Sequence, residues 1–160
     1  MKTIFLSLLI LLSSSCIFAQ KNNLDTKENF SKLSRLSING FRNPSIGIEF
    51  EIQSFSVHAG YYITALEKGV TTKFFKAGIT HWMMPVDKKE VPSAFYTSVS
   101  YLKGLNNDYE NDDAIATEVG FRWTIVKGLN VRLGVTALAS PDKHLKINPT
   151  PGISYTFNLK

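Results

Sequence analysis

A strict alternation of apolar with polar or small residues runs through most of the chain after residue 32. It is clearest in GISYTFNL near the carboxyl end, and it recurs in PSIGIEFEI, FSVHAGYYI, KFFKAGITHW, SAFYTSVSYL and, twice, in AIATEVGFRWTIVKGLNVRLGVTALA. A period of two is typical of β-strands that bury one face, because successive side chains point to opposite sides of the sheet. With LSRLSINGF, a weaker segment at Leu33 to Phe41, the sequence predicts an all-β fold of eight antiparallel strands.

Two very short connections fix how neighbouring strands align. Around Gln53-Ser54 the apolar positions change from even to odd numbers, so the loop must have an even length. Around Val126-Lys127-Gly128 the apolar positions stay odd, so the loop has an odd length, and glycine in last place matches a turn closed by a left-handed glycine. The remaining connections are longer and polar, with EKGVTT, NNDYENDD and PDKHLKINPT as predicted loops.

Full charges occupy the polar faces of these strands, in the middle of hydrophobic sequence. They are balanced in sign: Glu49, Glu51, Lys76, Glu118, Arg122 and Arg132. The same faces carry many glycines, which weaken a sheet that faces water but leave room inside a narrow barrel. We therefore predict that the polar faces line the lumen of an eight-stranded antiparallel up-and-down β-barrel of the outer-membrane type, with the apolar faces against lipid. A soluble β-sandwich, with the faces reversed, is the alternative.

The three-residue loop places Arg122 directly opposite Arg132 on neighbouring strands. Two like charges at that spacing repel each other, and charges inside a narrow lumen need partners. We expect Glu118, together with Glu49 or Glu51 reaching across the lumen, to bridge the two arginines. The predicted role of this charge network is structural.

The amino-terminal MKTIFLSLLILLSSSCIFAQ has the form of a secretory signal peptide: a basic start, an apolar run too short to span a membrane, and small residues before the predicted cleavage after Ala19. We therefore predict a signal peptide at 1–19, a flexible periplasmic tail at 20–32 and a β-barrel domain at 33–160. Cys16, the only cysteine, leaves lipidation at that residue as an alternative. The formal charge of +5 is spread over scattered basic residues, which does not indicate a nucleic-acid partner.

The order of these segments is similar to that of a known family. PSIGIEFEI, FSVHAGYY, FFKAGITHW, SAFYTSVSY, GFRWTIVKGLNVRLGVTA and GISYTFNL, over Leu33 to Lys160, resemble the small outer-membrane β-barrel proteins of Gram-negative bacteria, in the OmpA/OmpX-type, short-turned group. The resemblance rests on strand layout and includes no catalytic motif. It implies an eight-stranded barrel with both termini in the periplasm, and it puts PVDKKEVPSA, a long turn, on the periplasmic side.

Candidate chemistry is sparse. His58 and Ser56 share a predicted lumen face, His81 lies near a strand end and His144 in a loop. A serine nucleophile needs a base oriented by a third group and room for its substrate, so we predict no catalytic residue, and also no cofactor and no metal site. HWMM fits a strand end better than a copper site, because adjacent methionines point to opposite faces. NNDYENDD is a candidate weak cation-binding loop, without EF-hand spacing, that carries Asp108, Glu110, Asp112 and Asp113.

These observations favour a small outer-membrane barrel with a structural or surface-interaction role, such as membrane integrity, adhesion or binding through its loops, and without catalysis. A soluble periplasmic β-sandwich or a lipocalin-like binder of small ligands is the alternative, and a lipid A-modifying outer-membrane enzyme comes third. The expected partners are outer-membrane lipid, lipopolysaccharide and the barrel-assembly machinery, and the expected state is a monomer. A porin-like open pore is not expected, because eight strands leave little free lumen.

Overall fold

The computed structural model describes residues 34–41, 44–67, 70–141 and 143–159. The predicted signal peptide at 1–19, with Cys16, and the predicted tail at 20–32 lie outside these residues. The described elements are strands, apart from one short 3₁₀ turn at Asn107–Tyr109. The strands are β1 (Ser34–Phe41), β2 (Ile46–Ile52), β3 (Phe55–Glu67), β4 (Val70–Met83), β5 (Ala94–Gly104), β6 (Asp113–Val126), β7 (Leu129–Ser140), β8 (Lys143–Pro149) and β9 (Gly152–Leu159).

The strands form one closed antiparallel barrel, in which β1 to β8 pair with their neighbours along the chain and β9 pairs with β7 and with β1. Segments β8 and β9 are two halves of one barrel strand, because both pair with β7 in a single register: Val135 lies opposite Pro149 and Arg132 opposite Gly152. The interruption falls at Pro151, which has no N–H to donate to a ladder. The prediction of an all-β, eight-stranded up-and-down barrel is confirmed, and the weak first segment closes it.

The two short turns determine the register on either side of them. The two-residue turn at 53–54 has the predicted even length. The second turn is one residue shorter than predicted, because β6 continues to Val126. A register shift between Thr124 and Val126 compensates for the missing loop residue. Arg122 therefore still lies opposite Arg132, as expected. Gly128 closes this turn with a φ of 79°, the left-handed conformation that the sequence predicts for it.

Two loop predictions are wrong. Most of PDKHLKINPT is strand β8, Lys143–Pro149. The alternation there depends on Leu145 and Ile147 alone and is flanked by prolines, so it is too short to stand out as a strand. EKGVTT is also mainly strand, because β3 continues to Glu67 and β4 begins at Val70.

The apolar faces of the strands point away from the barrel axis. Ile48, Val119 and Leu133 are 58%, 59% and 65% exposed, and large apolar side chains are exposed on every one of the strands. Most of the buried side chains are polar or charged. The barrel therefore has a polar interior and an apolar outer surface, which is the reverse of the usual soluble arrangement.

Glycines in the wall make room for large side chains in the lumen. Gly120 and Gly134 lie opposite each other on β6 and β7, and the ring of Tyr96 lies over both. A Cβ atom added at these positions would lie 2.6 and 2.7 Å from the Tyr96 hydroxyl oxygen. Such distances are too short for a real contact, so this part of the wall accepts no side chain while the ring is in place.

Candidate functional site

The lumen holds a network of ion pairs, with Glu51 at its most buried point. One carboxylate oxygen of Glu51 accepts a hydrogen bond from Arg35 Nη1 at 2.5 Å, and the other accepts one from Arg122 Nη1 at 2.7 Å. All three side chains are 0% exposed. Since a buried charge is stable only when it is paired, the three groups depend on one another.

A second ion pair joins Arg132 to Glu49. Arg132 Nη2 lies 2.6 Å from Oε2 of Glu49, and both side chains are buried. The Glu49 carboxylate also accepts hydrogen bonds from the hydroxyl of Ser56 and, at 3.3 Å, from the side-chain amide of Asn39. These donors bind both oxygens of the carboxylate, so protein groups compensate this buried charge.

A third ion pair lies between Lys76 and Glu118. Lys76 Nζ donates to Oε2 of Glu118 at 3.0 Å. The other oxygen of Glu118 accepts from the hydroxyl of Tyr96 at 2.6 Å and from that of Thr150 at 3.0 Å. The pair ties together β4, β5, β6 and the joint between β8 and β9, so it connects distant parts of the wall across the lumen.

The two opposed arginines share an aromatic neighbour. Arg122 and Arg132 place their guanidinium carbons 3.8 and 4.9 Å from the centroid of the Trp82 ring. A cation over an aromatic face is stabilised by the ring quadrupole. Their repulsion is therefore offset by two separate carboxylates and by the indole between them.

All six charges proposed from the sequence lie in this network: Glu49, Glu51, Lys76, Glu118, Arg122 and Arg132. The carboxylates that reach the arginines are Glu49 and Glu51, whereas Glu118, expected to help bridge them, forms its ion pair with Lys76. Sequence reasoning missed Arg35, which lies on the weakest predicted strand. It also missed Trp82, which the interpretation of HWMM assigned to a strand end without a lumen role.

The connection at 84–93, called here the plug loop, turns into the barrel and closes the end that carries both described termini. Pro92 is buried, and its carbonyl accepts hydrogen bonds from Nε and Nη2 of Arg122 at 3.3 and 3.2 Å. The carbonyl of Glu90 accepts one from Nη2 of Arg35 at 2.6 Å. The arginines that pair with the central carboxylate therefore also hold the plug loop in place.

Asp87 organises the plug loop from within. Its carboxylate accepts hydrogen bonds from the hydroxyl of Ser93 at 2.6 Å, from the amide of Ser93 at 3.1 Å and from the amide of Lys89 at 3.3 Å. Partial burial raises the pKa of the Asp87 carboxyl, but the hydrogen bonds outweigh it and hold the pKa below its ordinary value of 3.8. The group is therefore ionised at neutral pH and accepts all three bonds.

Apolar contacts close the opposite end of the lumen. Tyr109, from the 3₁₀ turn, packs edge-on against Phe74 with ring centroids 5.3 Å apart. Tyr62, Leu102 and Leu138 belong to the same buried cluster. The lumen is thus filled at one end by the plug loop, in the middle by ion pairs and at the other end by this cluster.

His58 is the histidine with most potential for chemistry. Its Nε2 lies 3.0 Å from Ser100 Oγ and its Nδ1 lies 3.2 Å from Thr80 Oγ1. The cavity beside it has a volume of about 20 Å³, which leaves no room for an acyl chain or a sugar. Ser56 is engaged by the carboxylate of the second ion pair. His144, expected in a loop, lies in strand β8.

Two acids of the candidate cation-binding loop bind lysines. Asp113 Oδ1 lies 2.8 Å from Lys103 Nζ, and Asp112 Oδ2 lies 3.4 Å from Lys143 Nζ. The side chain of Asp108 is not among those described, and Glu110 is exposed. Among the described side chains, no three or more metal-ligating groups come together.

Comparison of the chain with models of known protein families, with curated proteins and with solved structures gives no match. In the part of the chain that the structure describes, no helix has the length and hydropathy to cross a membrane.

Proposed function

We propose that this protein is a small outer-membrane β-barrel with a structural or surface-interaction role, exported to the cell envelope by its signal peptide. One observation carries the proposal: the outer surface of the barrel is apolar and the charges are inside. In this account the end with the plug loop faces the periplasm, and the loops at the other end face the outside of the cell.

The composition of the outer surface supports this role. Apolar side chains cover the strands on their outward faces, and monomeric soluble proteins rarely expose apolar patches larger than a few hundred Å². Aromatic residues occur near the strand ends, where membrane barrels carry their interfacial girdles: Phe55, Tyr101, Trp123, Tyr155 and Phe157 are all exposed. A lipid environment removes this surface from water without any partner protein.

The filled lumen favours a structural or binding role over conduction. A pore needs a continuous water path, and a lipocalin-like binder needs an internal ligand cavity. The plug loop, the ion pairs and the apolar cluster occupy the space that either function requires. Catalysis on lipid is not favoured for the same reason, since the cavity beside His58 is about 20 Å³. Interaction with lipopolysaccharide or other surface partners is assigned to the loops that face outward.

Cell fractionation combined with gel mobility tests the proposal. The protein should be recovered with outer membranes, and a sample left unheated in detergent should migrate differently from a boiled one, because small barrels stay folded under these conditions. Recovery in the soluble periplasm, with no mobility shift, would refute the membrane role. In planar bilayers the wild-type protein should give no open-channel steps, and a steady conductance would refute the closed lumen.

A further inference from the structure

A cleft opens at the end of the barrel that holds the plug loop. Its volume is about 700 Å³, within the range of about 300–1,000 Å³ that is typical of small-molecule sites. The cleft lies between the plug loop, the turn from β6 to β7 and the end of β9. Its lining includes Lys89, Glu90, Lys127, Tyr155, Phe157 and Asn158.

One wall of the cleft belongs to the apolar outer surface. Ile125, Val126, Tyr155 and Phe157 are all exposed and lie on the outward side of the barrel. The rings of Tyr155 and Phe157 pack edge-on, with centroids 4.8 Å apart. If the barrel crosses a membrane as proposed, this wall lies at the level where lipid chains meet headgroups.

The other wall is polar and carries charges of both signs: Glu90 is an acid, and Lys89 and Lys127 are bases. Lys89 donates to the carbonyl of Thr124, and Glu90 accepts a hydrogen bond from Asn158 at 3.0 Å. Lys127 lines the same cleft and has neither an ion pair nor a hydrogen bond among the described residues. A free ammonium group therefore stands beside an apolar wall at the edge of the membrane-facing surface.

We infer that this cleft binds the headgroup of an anionic phospholipid from the periplasmic leaflet, with its phosphate at Lys127 and its acyl chains along the apolar wall. The inference rests on the proposed membrane location. An amphipathic ligand matches both walls at once, and its negative charge matches the unengaged cation. Near a membrane surface, each lysine attracts anionic lipid with an energy that corresponds to about a fivefold change in affinity.

Native mass spectrometry of the purified barrel in detergent tests the inference, with phosphatidylglycerol and phosphatidylcholine as competing probes. We expect the wild-type protein to retain one phosphatidylglycerol in preference to phosphatidylcholine. Lys127→Gln should weaken phosphatidylglycerol binding about fivefold. The matched control is Lys88→Gln, which removes an exposed lysine at the same end but outside the cleft, and it should leave binding unchanged.

Equal retention of the two lipids, wild-type binding by Lys127→Gln, or an equal loss in Lys88→Gln would each overturn the inference. Each sample is also checked for outer-membrane recovery and for the heat-dependent mobility shift. If both are present while lipid selectivity is absent, the lipid site fails and the membrane barrel stands. If both are absent, the proposed function and the lipid site fail together.

Discussion

Replacement of Glu51 by glutamine tests whether the lumen charges behave as buried ions. The substitution keeps the size of the side chain and removes the negative charge that Arg35 and Arg122 share. All three side chains are 0% exposed, so water cannot reach the two guanidinium groups to compensate. Each arginine keeps a backbone carbonyl of the plug loop as an acceptor, but neither keeps a counter-ion among the residues that the structure describes.

The expected loss in the free energy of unfolding is about 3–5 kcal/mol, the usual cost of removing one partner from a buried ion pair. The matched control is Asp113→Asn, which breaks the pair with Lys103 near the opposite end of the barrel. Those two side chains are 61% and 38% exposed. Exposed pairs contribute about 0–1 kcal/mol, because solvent screens them.

Urea unfolding of the protein in phospholipid vesicles, followed by tryptophan fluorescence, measures both variants against the wild type. The account predicts that the loss for Glu51→Gln exceeds that for Asp113→Asn by at least about 2 kcal/mol. Equal losses in the two variants would show that the lumen charges are solvated in the same way as the surface pair. The reasoning from burial would then be refuted.

Three further predictions concern the wall, the turn at 53–54 and the plug loop. Gly120→Ala should lower the free energy of unfolding by about 1–3 kcal/mol, because the added Cβ atom would lie 2.6 Å from the Tyr96 hydroxyl oxygen. The control is Gly40→Ala, where the nearest atom would be 3.9 Å from the added Cβ. In the same urea assay, this control should lower the free energy of unfolding by less than about 1 kcal/mol. Gln53→Gly should stabilise the barrel by up to about 1 kcal/mol, because Gln53 has a φ of 56° that glycine adopts without strain; a loss of stability would contradict this. Since the pKa of Asp87 is lowered on folding, its contribution to stability is present above its ordinary pKa of 3.8 and is lost as the pH falls through the folded value. Below about pH 3.8, hydrogen exchange in the plug loop should therefore speed up relative to exchange in the barrel strands. Asp87→Asn should remove that pH dependence, and an unchanged pH profile in the variant would contradict the assignment to Asp87.

The faces and the register of the barrel could be predicted because a strand has a side-chain period of two. The predicted three-residue loop placed Arg122 opposite Arg132, and the structure has that pairing although the turn itself is one residue shorter. The same rule shows where sequence reasoning stopped short. Lys76, Thr80 and Trp82 share one parity on β4, so the tryptophan could have been assigned to the lumen from its position.

The partners across the lumen could not be predicted in the same way. Arg122 on β6 forms an ion pair with Glu51 on β2. The distance between these two residues across the lumen depends on the stagger and curvature of the closed barrel. The plug loop also left no signal, because it is held largely by the carbonyls of Glu90 and Pro92. Every residue carries such a carbonyl, so a polar loop that enters the lumen has the same composition as one that stays in solvent.

The two tryptophans provide the most direct test of the central claim, that the apolar face meets lipid and the polar face is enclosed. Trp123 is on the outward face and 63% exposed, whereas Trp82 lies in the lumen and is 1% exposed. In vesicles of brominated phospholipid, the account predicts strong quenching of the wild-type fluorescence and almost none in Trp123→Phe, which retains only Trp82. Equal quenching of both proteins, or of neither, would contradict the claim.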